Sequence, residues 1–400
     1  MGRFQKPWFV MSILAMLVAG CGESPIPSDE SPTREVQQEI VDCSVVWENE
    51  LMITDLRVVG DARARNNGPW SFGGIMKAMA GNRDEQRFVK GFVESWMEDQ
   101  DVDGATVKAR PRMQDVVLAP WKERSPAGTY DLATAPFELL AIVYRVDLRR
   151  QGNTGADAGE GRFVYGVRGA TGRMVPFTVI AEFGLPVRGG KSALDWANDW
   201  HALGNLDLGS AEYNRKLEQI TNQFASRSAR AGMVPGTSLN QLRTNEIALD
   251  LNAGHTPIWE LREFHIESDG YLHPARPALT PMNDMNGTDT LTKYVKQNAR
   301  AIEQGTQKLP VKFKGKHFGA GSSAVPTNLF TWSVPNVSAE LQKRFSEQTC
   351  NGCHAGDTAT NFLHVGADSA GGPARLSGFV VDVEMPRRIL ELKELLGCDY

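Results

Sequence analysis

Apolar residues recur along this chain in blocks of helical period and blocks of strand period. From Glu35 to about Gln100 the pattern is helical, and Phe88, Val89, Phe92, Val93, Trp96 and Met97 fall on one face, which marks them as core. From Ala135 the period drops to two. In "FELLAIVYRVDL" Tyr144, Val146 and Leu148 alternate with Arg145 and Asp147; "GRFVYGV" and "PFTVIAEFG" follow, the second with Phe177, Val179, Ala181 and Phe183 on one side. These segments predict antiparallel strands, with the glycine-rich "RRQGNTGADAGEG" as a long hairpin loop. Helical spacing returns in "SALDWANDWHALG" and "SAEYNRKLEQITNQFASR". Two more strands are predicted at "NEIALDL" and "IWELREFHI", then a helix at "TDTLTKYVKQNARAIEQG", opened by a threonine or aspartate cap. There is no internal repeat. The fold class this predicts is α+β, an antiparallel sheet flanked by helices.

The two ends differ from this body. "MGRFQKPWFVMSILAMLVAG" places Arg3 and Lys6 ahead of an apolar run from Trp8 to Val18 and then small residues, the layout of a signal peptide. The run is too short to read as a membrane-spanning helix. Residues 22–34, "GESPIPSDESPTR", carry three prolines and one large apolar residue, which predicts an unfolded tether. At the other end "NVSAELQKRFSEQTCNGCH" spaces Val337, Leu341 and Phe345 four apart, giving a short amphipathic helix. "MPRRILELKELLG" gives a closing helix, with Pro386 in its first turn and Gly397 stopping it. The resulting division is a signal peptide over 1–20, a tether over 21–34, an α+β body over 35–330 and a small helical segment over 331–400.

The chain has a net charge of −5 and no basic stripe, which argues against nucleic acid as a partner. It has five cysteines. Cys21 closes "LVAGC", which resembles the lipobox of bacterial lipoproteins. That resemblance covers the leader only. It implies acylation of Cys21, including a palmitate-type chain, and a membrane anchor on the bacterial envelope; Gly22 after the cysteine points to the outer membrane. An exported chain tends to pair or ligand its remaining cysteines.

Cys350-x-x-Cys353-His354 carries the most specific chemistry. Two thiols at this spacing meet the two vinyl groups of a porphyrin, and the histidine becomes an axial iron ligand. The last sixty or so residues resemble a c-type cytochrome domain, which implies a covalent haem c, one-electron transfer and a redox partner protein. The second iron ligand would be His364, Met385 or a body residue such as His317, and Cys43 and Cys398 would be left to form a disulfide. Three other readings stay open: a zinc site using Cys350, Cys353 and His364, a thioredoxin-like redox pair, and a structural disulfide in a haem-free protein whose sheet binds a ligand, polymer or protein. The layout of "PWSFGGIMKAM", "NEIALDL", "WELREFHI" and "TCNGCHAGDTATNFLHV" resembles a group of large bacterial lipoproteins with one such motif near the C-terminus, a resemblance that implies no activity.

Weaker signals remain. Asp99, Asp101 and Asp103 before Gly104 match the first half of a calcium loop, but Arg110 stands where its closing glutamate belongs, and a solvated turn is the better expectation. Trp196, Trp200 and His201 share a helical face that suits a core better than a pocket. No Gly-x-Ser-x-Gly, His-Glu-x-x-His or phosphate-cradling glycine loop is present, so the sequence supports no enzyme assignment.

Overall fold

A computed structural model describes residues 43–149, 157–187, 191–230, 236–247 and 258–398. The signal peptide, Cys21 with its tether, and most of the glycine-rich loop lie outside the described residues. The described residues form one compact unit.

Fourteen strands are present among the described residues: β1 (Met52–Ile53), β2 (Gln100–Val102), β3 (Ala105–Val107), β4 (Phe137–Arg145), β5 (Asp157–Arg168), β6 (Met174–Pro186), β7 (Leu239–Ile247), β8 (Trp259–Ile266), β9 (Leu272–Ala275), β10 (Lys312–Phe313), β11 (Lys316–His317), β12 (Ser323–Val325), β13 (Val365–Gly366) and β14 (Arg375–Leu376). Eight of them make one antiparallel sheet in the order β1-β4-β5-β6-β7-β8-β12, and β9 shares the outer edge of β8 with β12. The other six pair as small hairpins. Twelve α-helices accompany the sheet among the described residues, which makes the architecture α+β as the periodicity predicts.

Alternation along the strands divides the sheet into two unlike faces. Phe163, Tyr165, Phe177, Val179, Ala181, Phe183, Leu242 and Phe264 are all but fully buried in the main core cluster. The helices Phe72–Ala80, Glu85–Val93, Ala193–His201 and Ala211–Ala225 cover this side through ring contacts such as Phe72 on Tyr165, Phe92 on Phe264 and Phe224 on Phe163. The approach is tight at Gly161, where a Cβ would stand 2.3 Å from the Phe224 ring. Trp196 and Trp200 belong to this core, Trp200 stacked on Tyr144 at 5.0 Å, and the His201 Nδ1 meets the fully buried Glu50 carboxylate at 2.8 Å.

The structure departs from the periodicity at three places. The helical block before Gln100 contains β1, because Met52 and Ile53 pair with the edge of β4. The strand expected at "NEIALDL" instead runs Leu239–Ile247, and its remainder lies outside the described residues. Polar residues stand on both of its faces: Thr244 and Glu246 share the core side with Leu242 and are fully buried, and Gln241, Arg243 and Asn245 lie on the other side. The helix expected at residues 288–305 breaks at Asn298, whose Nδ2 donates back to the Tyr294 carbonyl at 2.9 Å.

The C-terminal helices join two different cores. The helix Ala339–Gln348 brings Phe345 into a cluster with Leu291, Tyr294, Ile302 and Trp332. The helix Met385–Leu396, closed by Gly397 at φ 77°, buries Met385, Leu392 and Leu396 in the main core. Just beyond it Cys398 is bonded to Cys43, with Cα atoms 5.9 Å apart, so the expected disulfide is present.

Candidate functional site: the Cys-x-x-Cys-His turn against the sheet

The second face of the sheet carries charge. Register places Arg162 of β5 beside Glu182 of β6, and Arg243 of β7 beside Glu263 of β8. Ion pairs run across four strands: Glu160 to Arg162 at 2.6 Å, Arg162 to Glu182 at 3.0 Å, Glu182 to Arg243 at 3.0 Å, Arg243 to Glu263 at 2.8 Å and Glu263 to His265 at 2.8 Å. Burial opposes the Arg243 charge, but Glu182 and Glu263 outweigh it and hold its pKa well above the ordinary value. Burial likewise opposes the Glu263 charge, and Arg243 and His265 overcome it, keeping the carboxyl below the usual range. Sequence reading missed this ladder: charged residues alternating with apolar ones in a strand look the same whether water or protein covers them.

Here protein covers them. At the β8 end of this face Trp259, Leu261 and Val325 pack against Ala355, Phe362, Phe330 and Cys350. The turn that carries the two cysteines is held from several sides. Thr349 caps the short helix Cys350–Cys353 by accepting from the Gly352 N–H, Trp332 Nε1 donates to Thr349 Oγ1 at 2.8 Å, and Asn351 Nδ2 donates to Asn283 Oδ1 at 2.8 Å. Gly352 is required: a Cβ there would lie 2.2 Å from the Ser346 carbonyl oxygen. The segment then doubles back, with Ala359 at φ 51° and Phe362 at φ 66°. Left-handed backbone at non-glycine residues costs roughly 1–3 kcal/mol each and tends to gather at functional sites.

This path brings two sequence-predicted histidines together. His354 donates from Nδ1 to the Phe362 carbonyl at 2.7 Å, and its ring stacks on Trp259 at 5.1 Å. His364, placed by the β13–β14 hairpin, contacts Cys353 Sγ through Nε2 at 3.3 Å and Ser377 Oγ through Nδ1 at 2.9 Å. Its ring centre is 4.3 Å from that of His354. Cys350, Cys353, His354 and His364 each keep some surface open to solvent, yet burial is the largest influence on the titration of all four. The four groups thus form a half-buried polar wall beside the sheet.

Electrostatics keep that wall neutral. Burial pushes the Cys353 thiol up to about 12, with Glu384 adding to it, and pushes Cys350 up as well. Burial lowers His354 to about 4, with Arg243 and Arg162 working in the same direction. His364 is driven well below its ordinary value by burial and by the charges of His354, Arg388 and Arg145. Cys353, His364 and Ser377 lie in the order of a nucleophile, a base and a group that orients the base. A cysteine nucleophile needs thiolate beside imidazolium, and this field favours thiol beside neutral imidazole. Cys353 also closes its short helix, where the backbone dipole disfavours an anion.

The haem reading is overturned here. Among the described residues no group of three or more His, Cys, Asp or Glu side chains is placed to hold a metal ion. Two imidazoles ligating one iron from opposite sides need about 4 Å between their nitrogens alone, taking metal–nitrogen bonds of about 2 Å, and rings centred 4.3 Å apart leave no such width. Met385 is fully committed to the main core. His317 lies on the β10–β11 hairpin, with its ring close to Gly104. The same finding bears on the zinc alternative.

The three aspartates of the suggested calcium loop lie on and beside the β2–β3 hairpin with protein partners of their own. Asp99 pairs with Lys108 at 2.7 Å, Asp101 accepts from the Gly104 N–H at 3.0 Å, and Asp103 meets Arg276 at 3.3 Å. No described helix is long and apolar enough to cross a membrane. Set against protein-family models, curated proteins and solved structures, the chain finds a match in none of the three.

Proposed function

We propose that this chain is a lipid-anchored protein of the bacterial envelope, attached through Cys21 at the outer membrane, that binds a ligand non-covalently in a recess at the Cys-x-x-Cys-His turn and carries no haem. The observation that supports this most directly is the wall itself: Cys350, Cys353, His354 and His364 are half-buried yet reachable by solvent, beside a sheet face crossed by ion pairs. Ligand sites have this form, a recess with a few polar groups fixed on a stiff scaffold. In this reading the C-terminal segment covers the binding face instead of carrying electrons. The Cys43–Cys398 disulfide suits an exported protein. A recess favours a small ligand, or the end of a larger one, over a flat protein surface.

Two experiments test it. Palmitate labelling of cells expressing the full chain gives a labelled, membrane-associated protein, and Cys21→Ser abolishes both properties; a soluble, unlabelled wild-type chain refutes the anchor. A screen of small neutral and anionic fragments, followed through the imidazole NMR signals of His354 and His364, finds binders that move these signals and leave exposed His273 in place. A screen in which no fragment moves them refutes the ligand-binding reading.

A further inference from the structure

We infer that the ligand of this site is an uncharged molecule that donates an O–H or N–H to the Nε2 lone pair of His354; this rests on the ligand-binding reading above. The first observation is the sense in which His354 is fixed. Its Nδ1 lies 2.7 Å from the Phe362 carbonyl oxygen, and in return the Phe362 N–H donates to the His354 carbonyl at 3.1 Å. A carbonyl oxygen can only accept, so Nδ1 carries the proton and the neutral ring has a bare lone pair on Nε2. Burial, which lowers the imidazole to about 4, keeps that lone pair unprotonated at neutral pH.

The second observation is that this lone pair is vacant. Nε2 has no hydrogen-bond partner among the described residues and is not one of the fully buried atoms left without one, so solvent reaches it. The rest of the wall is engaged. His364 spends both of its nitrogens, on Cys353 Sγ at 3.3 Å and on Ser377 Oγ at 2.9 Å, and Cys350 lies against Thr280, whose Oγ1 accepts the Cys350 N–H at 3.0 Å. A thiol is in any case a weak hydrogen-bonding partner. A molecule that covers Nε2 without a donor strips water from it and returns nothing, so the fixed acceptor discriminates in favour of a donor.

The third is what surrounds the lone pair. The guanidinium groups nearby already face carboxylates: Arg162 meets Glu160 and Glu182, Arg243 meets Glu182 and Glu263, and Arg145 and Arg388 meet Asp147 and Glu384. A charged ligand would give up its water here for counter-charges that are already committed, a penalty an uncharged one escapes. The remaining neighbours are aromatic. Trp259 stacks on His354 at 5.1 Å and on Phe362 at 5.7 Å, and the partly exposed Phe379 stands 5.7 Å from His364. The partly exposed Phe330 packs against the same cluster as Cys350. Such edges suit an aromatic body with one polar hydrogen.

The test uses the full chain with isotope-labelled histidine nitrogens at neutral pH and two probes in separate arms: phenol, and anisole, its methyl ether, which has the same ring and no donor. The spectrum of the free protein should show the His354 proton on Nδ1. Phenol should move the Nε2 signal saturably, with His273 still, and bind at least tenfold more tightly than anisole. In His354→Phe, which keeps a ring on Trp259, the two probes should bind alike; the wild-type comparison decides by itself if that variant fails to fold. The inference is overturned, and the ligand-binding reading left standing, if phenol and anisole bind the wild type equally, if the preference survives in His354→Phe, if the free ring carries its proton on Nε2, or if neither probe moves His354 while other fragments do. If no fragment binds, both fall.

Discussion

Lowering the pH should destabilise this protein in part through His354, and the size of that effect follows from the structure. The imidazole has an ordinary pKa of 6.5 and is held at about 4 in the folded chain, chiefly by burial. Between these values the unfolded chain binds a proton that the folded chain refuses, so stability is complete above pH 6.5 and falls as the pH approaches 4. The interval corresponds to about 3 kcal/mol, an upper bound because the ring keeps some contact with solvent. The variant His354→Phe isolates the effect. It keeps an aromatic ring on Trp259 and loses the bond to the Phe362 carbonyl, which costs about 1–2 kcal/mol at neutral pH. The variant does not titrate at this position. Urea denaturation of both proteins from pH 8 to pH 4 should therefore show the wild type more stable at neutrality and the variant more stable by roughly 1–2 kcal/mol near pH 4, on the arithmetic of the two terms. Acid-sensitive groups remote from this position affect both proteins alike and cancel; His364, whose ring lies 4.3 Å from that of His354, does not. A difference that stays constant with pH, or a His354 signal that titrates near 6.5 in the folded protein, would refute the reasoning.

Other measurements probe the rest of the site. With the Cys353 thiol raised to about 12, its thiolate fraction at pH 8 is roughly a thousandth of a free cysteine's, and Cys350 is shifted the same way; both should alkylate slowly when folded and at the ordinary rate in urea. Fast alkylation of the folded protein, or thiols already oxidised, would contradict this. Removing the Cys43–Cys398 bond with a double serine variant should lower stability by at least about 2 kcal/mol, since the bond spans 355 residues and the chain-entropy ceiling for such a loop is about 6 kcal/mol; an unchanged urea midpoint would count against it. Glu182→Leu leaves Arg162 and Arg243 facing each other over the lost carboxylate and should cost about 3 kcal/mol or more by thermal denaturation. Millimolar calcium should leave the melting temperature unmoved, because Asp99, Asp101 and Asp103 already have protein partners; a rise that Asp101→Asn removes would restore the calcium loop.

Much of the architecture was legible in the order of residues. Helical spacing placed Phe88, Val89, Phe92, Val93 and Trp96 in the core, and alternation placed Phe177, Val179, Ala181 and Phe183 on the buried side of a strand. Both signals survive because burial on one face imposes a period that neighbours in sequence reveal. The pairing of Cys43 with Cys398 could be expected as well, though only as what remained when the other two cysteines were set aside.

The site was a different matter. Sequence alone determined that two thiols and a histidine sit at the spacing of a haem-attachment motif, because that spacing is a local property of five residues. Whether they can hold a metal depends on where His364, Met385 and the sheet arrive. Folding sends Met385 into the core, sets His364 against Cys353 and Ser377, and leaves the two imidazoles too close together to flank an iron. Arg145, Arg162, Arg243 and Arg388 come from four separated stretches and alternate with apolar neighbours as any solvated strand or helix would. Only tertiary structure decided that protein covers them, and so turned ordinary surface charge into buried ion pairs with Asp147, Glu182, Glu263 and Glu384. Charges act through space over several ångströms, and residues far apart in the chain meet at those distances only after it has folded.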